Sequence, residues 1–296
     1  MSKKAVSLKQ VTFKYKNGTK FAVTNASLDI NVDDFLLLVG YSGSGKSTLL
    51  KTINGLIPNF YAGTFGGSIK INGEDIVDKN PAQLAKQVGF VFQNPENQIS
   101  NLTVEKEIAF PLENFGVPRD EIITRIDEIV ELLGIERIKY KSPFSISGGE
   151  QQLTAIAAAL ALDPPILILD EVTAHLSPNS ANNLLKILFK LNQEHGKTII
   201  LSEHRLDRCL NYVNKVAYIE QGKLKISGSL KEVLSSKEYP ESLLPKVPRL
   251  FYELARKSNN FNNFSSKFRK SFNVENLPIT ISDFKKLMQI EGEYHY

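Results

Sequence analysis

A glycine-rich stretch near residue 40 has the residue types and spacing that bind phosphate. It fits the pattern G-x-x-x-x-G-K-[ST] and consists of Gly40, Tyr41, Ser42, Gly43, Ser44, Gly45, Lys46, Ser47 and Thr48. Glycines let successive N–H groups point at one anion, and the N-terminus of the next helix adds positive charge. Lys46 can then reach the β- and γ-phosphates of a nucleotide, and the Ser47 hydroxyl can ligate Mg²⁺. The alternative is an ordinary Gly/Ser-rich turn before a helix.

A second candidate site is the apolar segment Leu167–Leu169, which is followed by two acids. A strand of this kind would place Asp170 at the edge of the sheet, where its carboxylate can hold Mg²⁺ through water. Glu171 would lie just outside the strand and could polarise an attacking water as a general base. By itself the pattern is weak evidence, but in a chain with a phosphate-binding loop it indicates phosphoryl chemistry.

A third candidate is the stretch Ser147-Gly148-Gly149-Glu150, directly before an alanine-rich segment. A serine and two glycines at a helix start can form another anion-binding nest. A helix N-cap with a Gly-rich approach is the alternative. Two nests in one chain suggest that two chains share each nucleotide.

Hydrophobic patterning predicts the elements that must position these residues. Strands are expected over residues 5–15, 22–30, 35–39, 67–73, 88–92, 166–169, 198–201, 216–219 and 224–226. Between residues 100 and 160 the pattern is helical, with Thr103 as an N-cap, Gly134 as a stop and a helix over Gly149–Ala161. The chain is therefore predicted to be an α/β protein with a mixed sheet and an inserted helical subdomain at about 94–162.

The composition bounds the class of protein. The 296 residues are 42% hydrophobic and 23% charged, with a net charge of +4 and a single cysteine, Cys209. This mild basicity does not indicate nucleic-acid binding, and one cysteine excludes an internal disulfide. The sequence has neither an apolar run of membrane-spanning length nor an N-terminal signal-peptide pattern. We therefore expect a membrane role to come only through partners.

The last part of the chain, from about residue 237, differs in composition from the rest. Residues 258–266 are Asn/Ser-rich and predict a linker, and Pro278–Ser282 is expected to precede a last helix at Phe284–Ile290. Basic residues cluster nearby: Arg256, Lys257, Lys267, Arg269 and Lys270. A solvated face is the favoured interpretation of this basic cluster, and contact with anionic lipid or a partner is the alternative.

The order of the motifs resembles the ATP-binding cassette (ABC) ATPase family over residues 1–236. Gly40–Thr48 corresponds to its Walker A loop, Leu167–Asp170 to Walker B, and Ser147–Gly149, with Glu150 after it, to its signature loop. The resemblance implies a P-loop NTPase of ABC type with an antiparallel β subdomain. It also implies a head-to-tail dimer that closes on two ATP molecules with Mg²⁺.

The same resemblance suggests roles for single residues. Glu171 matches the catalytic glutamate, and Gln93 matches the Q-loop residue that senses Mg²⁺ and the lytic water. His204 matches the switch histidine at the γ-phosphate, and Tyr15 matches the aromatic residue that stacks on adenine. Taken alone, Tyr15 could equally pack in a strand, and His204 could be an ordinary surface or core histidine. Ser47, Gln93 and Asp170 form the implied metal site.

A narrower resemblance links the chain to the ATPase subunits of energy-coupling factor importers. It is carried by Phe92–Gln98, by Thr103–Phe110 and by the proline-containing segments of residues 237–296, a C-terminal extension. The resemblance implies a second ATPase subunit and integral membrane subunits as partners, at the cytoplasmic face of the cell membrane. Such importers take up vitamins or transition metals. A groove near Gln93 would grip a membrane partner's helix.

Several positions depart from the family pattern. Val172 replaces a usual proline, His175 a glycine and Ser177 the acid that couples the two sites of a dimer. Leu153, Ile146 and Glu150 are further variants in and after the signature loop. These departures lead us to expect an asymmetric heterodimer. The alternatives are a soluble ABC protein acting on ribosomes or DNA, and a regulatory module that binds ATP without hydrolysing it.

Overall fold

The computed structural model describes residues 3–204, 206–260 and 277–290. The predicted linker begins too early, because a helix, Lys246–Asn260, continues through its first three residues. The rest of that linker, and the side chains of the predicted basic cluster, lie outside the described residues. No helix in the described ranges is long and apolar enough to cross a membrane.

The described residues form two β-sheets. Their strands are β1 Lys4–Tyr15, β2 Val23–Asn31, β3 Phe35–Val39, β4 Gly63–Ile71, β5 Glu74–Asp75, β6 Val88–Val91, β7 Ile166–Asp170, β8 Thr198–Glu203, β9 Lys215–Glu220 and β10 Lys223–Gly228. One sheet is antiparallel with the order β2-β1-β4-β5. The other has the order β10-β9-β3-β8-β7-β6 and is parallel except for the hairpin β9–β10. The predicted mixed sheet and antiparallel β-sheet are confirmed.

The helices follow the sequence pattern in most places. They are α1 Lys46–Ile53, α2 Leu56–Asn59, α3 Pro81–Leu84, α4 Val104–Asn114, α5 Arg119–Leu133, α6 Gly148–Leu160, α7 Pro178–His195, α8 Leu230–Leu234, α9 Lys246–Asn260 and α10 Ile281–Ile290. Helices α4 to α6 lie between β6 and β7 in the chain. Thr103 caps α4 by accepting from the amide of Lys106, and Gly134 ends α5 with φ 65°. Both predicted helix signals are confirmed.

The mixed sheet separates two hydrophobic cores. Every residue of β3, β7 and β8 is buried, which is typical of parallel strands covered on both faces. Phe35 and Leu37 of β3 face the core that includes α4 to α7. Leu36 and Leu38 face the core formed with α1 and the antiparallel sheet. The sheet is therefore held from both sides, and its carboxyl edge is a rigid platform.

The pattern missed some elements. Helix α7 was not predicted, although Ser177 caps it, Pro178 begins it and Gly196 ends it. Helix α9 was also missed; its Phe251 is buried in the same core as the central sheet. Helix α10 begins earlier than predicted because Thr280 caps it by accepting from the amide of Asp283.

Candidate functional site

The loop from Gly40 to Gly45 joins the buried strand β3 to α1. Gly43 and Gly45 have φ values of 73° and 105°, which residues with a Cβ rarely adopt. A Cβ on Gly45 would lie 2.4 Å from the carbonyl oxygen of Ala22, and one on Gly40 would lie 2.3 Å from that of Ile219. Backbone from β9 and from the residues before β2 thus fills the space that side chains would need. This loop conformation requires glycine.

The loop retains polar groups that a ligand can use. The Oγ atom of Ser44 is buried and has no hydrogen-bond partner in the described part of the chain. Helix α1 has Gly45 as its N-cap and therefore begins without a side-chain cap. An unpartnered hydroxyl and an uncapped helix N-terminus both favour an anion. The loop therefore fits the phosphate groups of a nucleotide, with exposed Tyr41, Ser42 and Gly43 at its mouth.

Lys46 is the centre of a polar cluster beneath the loop. Its ammonium donates to the carbonyl oxygens of Gly40 at 2.9 Å and Tyr41 at 3.2 Å. It also lies 3.2 Å from Oε1 of Glu171 and 3.3 Å from Nδ1 of His204. Nε2 of His204 is 2.9 Å from Oε2 of Glu171. Nδ1 of His204 also lies 3.2 Å from the carbonyl oxygen of Gly40, so both ring nitrogens are within hydrogen-bonding distance of groups in this cluster.

The register of the parallel strands brings these residues together. Val39 of β3 pairs with Glu203 of β8, and Asp170 of β7 pairs with Ser202 of β8. The carboxyl ends of three strands therefore meet at one edge, where ligands bind in open α/β sheets. Lys46 is buried at this edge, where its side chain is 2% exposed, whereas His204 is exposed.

Asp170 and Ser47 are the oxygen groups available to a metal ion at this edge. Oδ1 of Asp170 accepts from the hydroxyl of Ser202 at 2.7 Å. The other oxygen, Oδ2, takes no part in this bond and can accept from a metal-bound water. Ser47 is half-buried in the first turn of α1. Hard oxygen ligands of this kind suit Mg²⁺.

Tyr15 lies against the start of α1. Its hydroxyl is 3.1 Å from Oγ1 of Thr48, and its ring makes edge contacts with Phe13 and Tyr61 at centroid distances of 4.8 and 6.0 Å. These contacts hold a half-buried aromatic ring beside the phosphate-binding loop. Stacking of Tyr15 on adenine stays a prediction.

Gln93 lies apart from the Lys46 cluster. It is exposed and lines a cavity of about 350 Å³ together with Gly148, Val172 and His175. No hydrogen bond joins the side chain of Gln93 to Glu171 within the residues described. Its part in metal or water sensing stays a prediction.

The predicted signature loop forms a capping box at the start of α6. Oγ of Ser147 accepts from the amide of Glu150, and Oε2 of Glu150 accepts from the amide and hydroxyl of Ser147 at 2.8 and 2.7 Å. These hydrogen bonds from Ser147 lower the pKa of the Glu150 carboxyl. In the described part of the chain, no hydrogen bond joins this cap to the loop at Gly40–Thr48. Binding of an anion by Ser147, Gly148 and Gly149 stays a prediction.

Replacing Ser147 by alanine is expected to lower the free energy of unfolding by about 1 kcal/mol, because the N-cap and the hydroxyl that donates to Glu150 are lost, while the backbone amide of residue 147 and Arg137 still contact Glu150. The folded-state pKa of Glu150 is depressed, so its contribution is present above its ordinary value of 4.5 and is lost as the pH falls below it. The difference in unfolding free energy between the parent and the Ser147→Ala protein should therefore become smaller in acid. Thermal unfolding across pH measures this, with Ser147→Thr as the control that keeps the cap. Equal stability of all three proteins at neutral pH would contradict it.

Sequence reasoning missed two residues that contact the site from β8. Oγ of Ser202 accepts from the amide of Glu171 at 3.0 Å and donates to Asp170. Glu203 is buried and bonds Thr173, just beyond Glu171. The sequence signal for Ser202 and Glu203 was their position as polar residues at the end of an apolar strand, which is the same pattern that identified Asp170 and Glu171.

The fold and this site define a P-loop NTPase of ABC type: a phosphate-binding loop after the buried strand β3, an acidic pair at the end of β7, which is separated from β3 by β8, and helices inserted between β6 and β7. The family model for the ABC transporter matches residues 23–174. The chain belongs to the ABC transporter family and is of its ATP-hydrolysing type.

Particular relatives are similar over most of the chain. The energy-coupling factor transporter ATP-binding protein EcfA2 of Streptococcus sanguinis is 36% identical over 290 residues, which are 96% of this chain and 99% of that protein. A putative ABC transporter ATP-binding protein of Methanosarcina acetivorans is longer: its 37% identical match spans 85% of this chain and 41% of that protein.

Solved structures agree. CbiO1 of Clostridium perfringens, part of the ABC transporter complex CbiONQ, is 30% identical with a TM-score of 0.72, over 86% of this chain and 99% of that one. The ATP-binding cassette MJ0796, as a dimer in a post-hydrolysis state bound to ADP and Pi, is 33% identical with a TM-score of 0.66, over 76% of this chain and 98% of that one.

Proposed function

We propose that this chain is the ATP-hydrolysing subunit of an energy-coupling factor importer for a vitamin or a transition metal. The observation that carries the ATP-hydrolysing role is the cluster of Lys46, Glu171 and His204 at the carboxyl ends of the parallel strands. The names of EcfA2 and CbiO1 support the assignment to this type of transporter. Localisation at the cytoplasmic face of the membrane follows from that assignment.

The site suggests how ATP binds. The phosphates contact the amides of the loop, the free hydroxyl of Ser44 and the ammonium of Lys46, while the adenine stacks on Tyr15. Ser47 and Asp170 would hold Mg²⁺, which would neutralise charge on the phosphates. The buried setting of Lys46 strengthens its attraction to phosphate.

The contacts of Lys46 also suggest how hydrolysis is prepared. A γ-phosphate competes with the carboxylate of Glu171 for the same ammonium, so ATP binding frees Glu171. The freed carboxylate accepts a proton from water as that water attacks the γ-phosphorus. The bond to the β,γ-bridging oxygen breaks, which gives ADP and phosphate. Gln93 and His204 orient the water and the γ-phosphate.

A second ATPase subunit completes the site. The signature loop of that subunit, equivalent to Ser147–Gly149 of this chain, covers the nucleotide, because within the described residues no hydrogen bond joins this chain's own cap to its phosphate-binding loop. Ser177 keeps the helix cap of α7, since its Oγ accepts from the amide of Ser180 at 3.2 Å. Serine does not supply the charge of the usual aspartate, so this chain couples the two ATP sites of the dimer only weakly. An asymmetric pair of ATPases follows.

The test is to purify the full chain alone and from its native membranes. We expect the chain alone to be monomeric with weak ATPase activity, and the membrane preparation to contain a second ABC ATPase and integral membrane subunits with ATPase activity. Size-exclusion chromatography, phosphate release and mass spectrometry measure these outcomes. A vigorous homodimeric ATPase without membrane subunits would contradict both the asymmetry and the need for partners.

A further inference from the structure

Glu203 is a buried acid that the proposed chemistry does not use. It is the last residue of β8 and is 4% exposed. Its Oε1 accepts from the amide of Thr173 at 3.2 Å and also from the hydroxyl of Thr173. Thr173 itself is 1% exposed. One carboxylate oxygen therefore holds both the backbone and the side chain of a single residue.

Thr173 belongs to the tight turn that begins at Glu171. Glu171 has φ 52°, a left-handed conformation that costs energy in a residue other than glycine and needs support from its surroundings. Its amide bonds the carbonyl oxygen of Ser202 at 3.2 Å and the hydroxyl of Ser202 at 3.0 Å. Within the turn, the amide of Ala174 bonds the carbonyl oxygen of Glu171, and that of Leu176 bonds the carbonyl oxygen of Thr173. Ser202 thus holds the start of the turn and Glu203 holds its middle.

The electrostatics agree with a structural acceptor. Burial raises the pKa of the Glu203 carboxyl most strongly, while the hydrogen bonds from Thr173 oppose that effect. Glu171 repels the charge of Glu203 and the neighbouring His204 stabilises it. A carboxyl group in this setting costs stability unless it is well hydrogen-bonded, so its presence needs a compensating use.

We propose that Glu203 is a positioning residue for ATP hydrolysis, which holds Thr173 and thereby fixes the backbone of the turn from which the side chain of Glu171 projects. The inference rests on the proposed role of Glu171 as the base. The hydrogen-bond acceptor is the required property of residue 203. A displacement of about 1 Å in a reacting group can lower a rate by about 100-fold.

Three variants of the full chain test this in the ATPase-active preparation: Glu203→Gln, Glu203→Leu and Thr173→Val. The glutamine keeps an acceptor for both donors, so kcat should stay within about 3-fold of the parent. The leucine should lower kcat by about 10- to 100-fold with little change in KM for ATP, because the phosphate-binding loop is untouched. The valine should lower kcat less, because the amide of Thr173 keeps its bond. The double variant Glu203→Leu/Thr173→Val should be no worse than Glu203→Leu alone.

Glu171→Gln in the same assay distinguishes a failure of the proposed function from a failure of the positioning role of Glu203. If Glu171→Gln keeps full turnover, the proposed function fails. If Glu171→Gln is inactive while Glu203→Leu and Thr173→Val have the parent kcat, the positioning role is overturned and the proposed function stands. A Glu203→Gln protein as impaired as Glu203→Leu also overturns the acceptor role. If Glu203→Leu does not fold, as judged by thermal unfolding, Thr173→Val and Glu203→Gln decide the question alone.

Discussion

Replacing Glu171 by glutamine is expected to lower the rate of ATP hydrolysis by about 10²- to 10⁴-fold, the usual contribution of a positioned general base. An amide has nearly the size of the carboxylate, so the buried turn should keep its shape, but it cannot take a proton from water. The change also removes the ion pair between Glu171 and Lys46. The ammonium of Lys46 can then bind phosphate without first breaking that ion pair. Affinity for ATP should therefore be unchanged or higher.

Phosphate release and calorimetric binding of ATP measure the two effects of this change separately. Glu113→Gln is the matched control, because Glu113 is an exposed residue of α4, far in sequence from every site motif. It should behave as the parent in both assays. Parent-like turnover of the Glu171 variant would show that another group accepts the proton. A parallel loss of binding would show that the ion pair supports the fold rather than competing with phosphate.

Replacing Gly45 by alanine is expected to abolish nucleotide binding at millimolar ATP and to lower the free energy of unfolding by about 1–3 kcal/mol. The new Cβ would meet the carbonyl oxygen of Ala22 at 2.4 Å, and φ 105° is strained for alanine. Relief of this clash must move the loop away from the residues before β2. That movement takes the amide of Lys46 out of the phosphate nest.

Gly43→Ala is the control for this effect. Gly43 also has positive φ, but a Cβ there would meet nothing within 4 Å. The free energy of unfolding of the Gly43→Ala protein should therefore fall only by the cost of the left-handed backbone conformation, about 1 kcal/mol. This protein should retain measurable binding of ATP. Calorimetry with ATP and thermal unfolding of both proteins separate the clash from the strain. Equal losses in the two variants would show that the close approach to Ala22 does not matter.

The parts of the site that could be predicted depend on local sequence. The strand, loop and helix around Gly40–Thr48 are adjacent in the chain, and the caps at Thr103 and Gly134 use bonds within a few residues. Helix α9 was harder to predict, because Pro248 stands in its first turn and its stability comes from Phe251, which is buried in a core built by distant residues. Local pattern carries no information about that core.

The sequence by itself determined which chemistry was available: a phosphate nest, an acidic pair after a buried strand, and a histidine after another. Only the tertiary structure decided that these groups meet. Lys46 and His204 are 158 positions apart, yet their nitrogens are 3.3 Å from each other because β3 and β8 are neighbouring parallel strands. That pairing is set by burial of the sheet on both faces, which depends on residues throughout the chain. The support of the Glu171 turn by Ser202 and Glu203 depends on the same register and could be seen only once the strands were placed.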